Sequence, residues 1–130
     1  MDDLAAQYDF VETEIIGQSW EYRDLKIIKI CKGGCGNKPA IWLDGGIIYK
    51  QEVQTKSQLM YFRNLGIHAR EWISPAVTTY AINELTTNHA NYSDLLDNLD
   101  WYLLPSHNPD GYQFTKEHVK RFLEISTFLD

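Results

Sequence analysis

The chain has 130 residues, 44% of them hydrophobic and 23% charged, with a formal net charge of −6. That balance is ordinary for one globular domain, which at this length buries roughly two thirds of its unfolded surface. An acidic chain without a Lys/Arg cluster excludes nucleic acid and anionic membrane surfaces as partners. No apolar run approaches the ~18 residues of a membrane span.

Met1 to Gln7 has neither a basic nor an apolar leader region, so no signal peptide is expected in this chain. Leu4 to Tyr8 reads as a short helical turn. Phe10 to Ile16 is rich in β-branched residues and alternates loosely until Gly17, which predicts a first strand. Leu25 to Ile30 predicts a second, close enough to the first to pair with it antiparallel. Cys31 and Cys35 bracket Lys32-Gly33-Gly34. A local disulfide and two reduced thiols fit equally well there, and a zinc knuckle is excluded because no further cysteine exists. Ala40-Ile41-Trp42-Leu43 is continuously apolar, as a central strand buried on both faces would be, and Asp44-Gly45-Gly46 turns the chain.

Beyond Ser74 the apolar residues Val77, Tyr80, Ala81, Ile82 and Leu85 fall at helical spacing. Ser74 reads as the N-cap and Pro75 as the first helical residue, with the helix running to about Asn88. His89 to Asn98 reads as a polar link, with a weak glycan-acceptor pattern at Asn91-Tyr92-Ser93. It leads to a buried strand over Trp101 to Pro105. Asn108-Pro109-Asp110-Gly111 is a strong turn signal, and an amphipathic helix is expected after Thr115. Strands alternating with helices imply an α/β layered domain.

The chemistry concentrates in Gly66-Ile67-His68-Ala69-Arg70-Glu71-Trp72-Ile73-Ser74-Pro75-Ala76. Imidazole nitrogen and carboxylate oxygen are both zinc donors, and a catalytic zinc takes three protein ligands and a water. A spacing of three lets His68 and Glu71 turn toward one point in the crevice beyond the strands' carboxyl ends, where open α/β sheets bind ligands. Arg70 would then point elsewhere, toward a substrate carboxylate or a backbone carbonyl. A bare His-x-x-Glu arises often by chance, and by itself reads as an exposed His with a Glu near a helix N-terminus.

The wider string, together with Asn108-Pro109-Asp110-Gly111-Tyr112, closely resembles the zinc carboxypeptidase A/B family. Glu14 to Gly17, Arg23 to Lys26 and Pro39 to Gly46 resemble the family's opening strands in the same order, so the resemblance covers about residues 2–115. It implies a partial α/β/α layered domain with a mixed sheet, truncated after about four strands. It further implies one zinc ion with His68 and Glu71 as ligands, Arg70 as a substrate-contacting cation, peptide or protein C-termini as substrates, and secretion. The Asn-Pro-Asp-Gly turn is expected to shape the scaffold without being catalytic.

Two departures accompany the match. Ile47 through Gly66 interrupt a family pattern that runs from Asp-Gly-Gly directly into Ile-His-Ala-Arg-Glu-Trp, and are read as an insertion without a clean period of two or 3.6. Matching splice-site boundaries at 47 and 66 would identify it as retained intron sequence. Residues 116–130 read as a divergent helical tail. The family's third zinc ligand, carbonyl-polarising arginine and general-base Glu have no counterpart in these 130 residues. His89 reads as a solvated residue after a helix, His107 as a locally bonded strand-end residue, and His118 as part of the tail, so none is taken as a replacement ligand.

Three functions are therefore carried forward. They are a metallocarboxypeptidase at family level, a catalytically inactive truncated remnant, and a non-enzymatic peptide-binding module. Without the missing half, Ala40 to Asp44 is expected to present an uncovered sheet edge.

Overall fold

A computed structural model describes residues 1–45, 59–62, 69 and 71–126, with side chains described over 1–45, 69 and 71–117. After a six-residue helix α1 (Asp2–Gln7), strands β1 (Val11–Gln18) and β2 (Asp24–Ile30) form the expected antiparallel pair. A register shift between Ile15 and Gly17 marks a bulge. β3 (Ala40–Asp44), β4 (Leu59–Phe62) and β5 (Asp100–Leu104) complete a five-stranded sheet of order β1-β2-β5-β3-β4. β2 and β5 are antiparallel, whereas β3 runs parallel to both β5 and β4. The sheet is thus mixed, as expected.

β4 changes one expectation. It falls inside residues 47–66 and pairs with β3 from Ala40↔Leu59 to Leu43↔Phe62. β3 is therefore paired on both sides from Ala40 to Leu43, so the uncovered edge expected there is filled by β4. Its burial is uneven, with Ile41 and Asp44 buried and Ala40, Trp42 and Leu43 half-buried.

One core covers the sheet. Val11, Ile28, Ile30 and Leu103 from the strands meet Ile82 and Leu85 of α2 (Ile73–Thr87) and Leu96 of α3 (Ser93–Asn98). The buried face of α2 consists of Ser74, Thr78, Ile82, Leu85 and Thr86, while Val77 and Tyr80 are 40% and 65% exposed. Small hydroxylated residues line its first half because the helix starts hard against the sheet's end. A Cβ built on Gly45 would lie 3.3 Å from the Pro75 Cα and 2.1 Å from the Pro105 carbonyl oxygen. Only glycine fits at that crossing.

The expected polar link at 89–98 is instead a 3₁₀ turn (His89–Tyr92) followed by α3, which buries Leu96 completely. His89 is not simply solvated. Its Nδ1 lies 2.8 Å from the Thr86 carbonyl oxygen, and its ring packs against Tyr8 and Phe10. His107 is exposed, and the side chain of His118 lies outside the described residues.

Cys31 and Cys35 are joined as a disulfide. Their loop is pinned from outside by Lys38 Nζ, which donates to the Lys32 carbonyl and, at 2.8 Å, to the Leu96 carbonyl, and its exit by the Asp100 carboxylate, which accepts from Gly36 N at 2.8 Å.

Candidate metal-ligand segment

The carboxyl ends of the parallel strands β3 and β5 lie side by side, with Gly45 N donating to the Leu104 carbonyl at 2.8 Å. Parallel strands that end together leave a crevice beyond them. A small pocket there is lined by Gly45, Ala69, Glu71, Ser106, Asn108 and Tyr112, with Pro75 closing its side.

Glu71 enters this pocket from the start of α2. The helix begins at Ile73, with Trp72 in the capping position and no side-chain cap, so Ser74 is not the N-cap. Ser74 is a buried helical residue whose N–H donates to the Glu71 carbonyl at 3.0 Å. Pro75 is tolerated in this first turn because its missing N–H would find no intrahelical partner there. The earlier start places Glu71 two residues before the helix. Its Oε2 is buried with no hydrogen-bond partner among the described residues.

The opposite wall is the start of α4 (Pro109–Ser126). Asn-Pro-Asp-Gly, expected as a free-standing turn, is a helix N-terminus. Asn108 Oδ1 accepts from Gly111 N at 2.9 Å, and Pro109 takes the first helical position. Asp110 reaches away from the pocket to the β1–β2 connection. It accepts from Ser19 Oγ at 2.7 Å, from Glu21 N at 3.0 Å and from Arg23 at 2.6 Å. The Ser19 hydroxyl first, and Arg23 after it, hold the Asp110 carboxyl below its ordinary range against the opposing effect of burial. Arg23 also pairs with Glu21, and these two carboxylates push its pKa upward.

α4 touches Ala69 and Trp72, on either side of Glu71, through Gly111, Tyr112 and Thr115. A Cβ on Gly111 would stand 2.8 Å from the Ala69 Cβ. The rings of Tyr112 and Trp72 lie 5.8 Å apart, and Trp72 Nε1 donates to Thr115 Oγ1 at 3.0 Å. The sequence reading gave none of these three residues a part in the site. Gly111 carried a signal, as a glycine just inside a helix start; Thr115 carried none.

Of the residues singled out from sequence, Glu71 lies in the pocket, while His68 and Arg70 fall outside the described residues. Among the described residues no three His, Cys, Asp or Glu side chains gather to hold a metal. Glu71 nevertheless suits one. A carboxylate is an acceptor-only group, and a buried oxygen without a donor is matched by a cation.

Comparison with known proteins agrees with this layout. The family model for zinc carboxypeptidases matches residues 1–123. Carboxypeptidase B of Astacus astacus is 40% identical over 116 residues, covering 88% of this chain and 31% of its own length. Carboxypeptidase A2 of Mus musculus is 34% identical, covering 89% of this chain and 24% of its own length. Among solved structures, carboxypeptidase A from Helicoverpa armigera superposes with a TM-score of 0.67 at 29% identity, over 88% of this chain and 24% of that one. Bovine thrombin-activatable fibrinolysis inhibitor, solved with a tick carboxypeptidase inhibitor, gives 0.63 at 32% identity, over 88% and 30%. The chain thus spans less than a third of the length of these relatives. With the mixed sheet, the strand-end pocket and the Glu71 segment all in place, the chain belongs to the zinc carboxypeptidase family.

Proposed function

We propose that this chain carries the first metal-ligand segment of a zinc exopeptidase that removes C-terminal residues from peptides and proteins. His68 and Glu71 are two of the zinc ligands, and Arg70 is a cation that contacts substrate. The observation that carries the reading is the buried Oε2 of Glu71, without a hydrogen-bond partner among the described residues, in the pocket beyond β3 and β5. Zinc, when bound, supplies Lewis-acid polarisation of a peptide carbonyl and a water of lowered pKa. Glu71 contributes a negative donor held by the start of α2, and Arg70 a guanidinium suited to a carboxylate or carbonyl oxygen.

Residues 1–130 by themselves supply two ligands and no general base at a family position, so these 130 residues alone do not hydrolyse peptides. The Cys31–Cys35 disulfide supports an extracellular site of action, since such bonds persist in oxidising compartments.

Zinc titration of the 130-residue chain and of Glu71→Gln tests the ligand reading. Measurable binding that the substitution weakens supports it; equal binding by both refutes it. Release of C-terminal residues by the chain alone would overturn the two-ligand argument.

A further inference from the structure

We propose that Thr115 is a positioning residue for the metal-ligand segment, tying the Ala69 backbone before Glu71 and the Trp72 side chain after it to one buried hydroxyl. The inference rests on Glu71 as a zinc ligand and extends it to a side chain 44 positions downstream.

Thr115 is only 7% exposed, and its Oγ1 meets three partners. It accepts from Trp72 Nε1 at 3.0 Å, directly after Glu71. Its one hydroxyl hydrogen is shared between the Ala69 carbonyl at 3.3 Å, just before Arg70, and the Tyr112 carbonyl of its own helix at 2.8 Å. A hydroxyl that only back-bonded to its helix would need neither Ala69 nor Trp72. Residues 69 and 72 therefore bracket the ligand segment, and one atom on α4 touches both. Two further contacts reinforce the clamp. The first is the Gly111–Ala69 approach; the second is the ring contact between Tyr112 and Trp72. Gly111, Tyr112 and Thr115 thus present a single contact surface to the segment.

Groups that orient a metal ligand without touching the metal set affinity as well as geometry, and their loss commonly costs about 10–100-fold in metal binding. Thr115→Val keeps the shape and deletes the hydroxyl; Thr115→Ser restores it. Trp72→Phe removes the indole donor while leaving a ring against Tyr112.

Zinc affinity is measured for the 130-residue chain and each variant by competition with a chromophoric chelator. Hydrogen exchange of the Ser74 amide and the Trp72 indole is followed in metal-free protein. Thr115→Val and Trp72→Phe should bind zinc at least about tenfold more weakly, and Thr115→Ser should match the parent. The Ser74 amide, bonded to the Glu71 carbonyl, should exchange faster in Thr115→Val than in Thr115→Ser. Unchanged zinc affinity in Thr115→Val overturns the positioning role. If the parent and Glu71→Gln bind zinc equally, the ligand reading fails instead. In that case unaltered exchange in metal-free Thr115→Val would still overturn the clamp independently.

Discussion

Gly111 and Ala69 approach so closely that a methyl group at position 111 would stand 2.8 Å from the Ala69 Cβ. Ala69 is too short to turn aside, and the other close neighbour is the capping Asn108 side chain, at 2.7 Å. Gly111→Ala therefore sets a helix-propensity gain of up to ~1 kcal/mol against an overpacking cost of ~1–3 kcal/mol. A net destabilisation of about 1–2 kcal/mol is expected from those two effects. Urea unfolding checks it, and a midpoint at or above that of the parent would contradict the contact.

Asp110 fastens the same helix start to the β1–β2 connection, and its pKa is depressed, chiefly by Ser19. A depressed carboxyl contributes stability that is present above its unfolded value and lost as pH falls through the folded value. Asp110→Asn should accordingly be less stable than the parent at pH 6. That difference should shrink as pH drops below the ordinary carboxyl value of 3.8. Urea midpoints for both proteins at pH 6 and pH 3 decide the matter, since a pH-independent gap would show that the charge contributes nothing.

The disulfide closes a loop of only five residues, from Cys31 to Cys35. Chain-entropy reasoning gives such a loop about 2 kcal/mol. The bonds that Lys38 and Asp100 make to the loop and its exit involve neither sulfur. The Cys31→Ser/Cys35→Ser double variant should lose about that much stability and keep its native circular dichroism. Collapse of the fold would mean that the outer bonds do not hold.

Leu96 is completely buried although its helix has six residues. Leu96→Ala should cost ~2–5 kcal/mol. A loss under 1 kcal/mol, far outside that range, would place α3 off the core.

Zinc should raise the melting temperature of the parent chain. Saturation at a hundredfold excess over the dissociation constant contributes about 2.7 kcal/mol. Glu71→Gln should respond less at the same metal concentration. Identical shifts would remove Glu71 from the ligand set.

Most of the sheet was legible in the sequence, because β1, β2, β3 and β5 each carry a local apolar or β-branched run between turn residues. β4 was not, because its segment carries no clean period of two, and three further features were missed for distinct reasons. α3 was hidden because Leu95 and Leu96 sit in an otherwise polar stretch, and short helices draw their stability from packing rather than propensity. The start of α4 was misread because Asn-Pro-Asp-Gly satisfies two rules at once: it makes a turn, or it caps a helix with Pro in the first position. Val77 and Tyr80 share the helical spacing of the apolar residues yet are exposed, because the face turned inward carries Ser74 and Thr78 ahead of Ile82 and Leu85. The motif drew attention to the segment whose Glu71 lines the strand-end pocket. The Thr115 clamp was not legible, because no local pattern joins residues 69 and 115.

The bond between Ser19 and Asp110 spans 91 positions. During synthesis, then, the first hairpin leaves the ribosome long before the carboxylate that will grip it. Local strand pairing can finish early, whereas the start of α4, which walls the pocket, waits for two segments 91 positions apart to meet. Assembly of the strand-end pocket is in this sense a late event, and slowing that closure should delay the pocket without delaying formation of the hairpin.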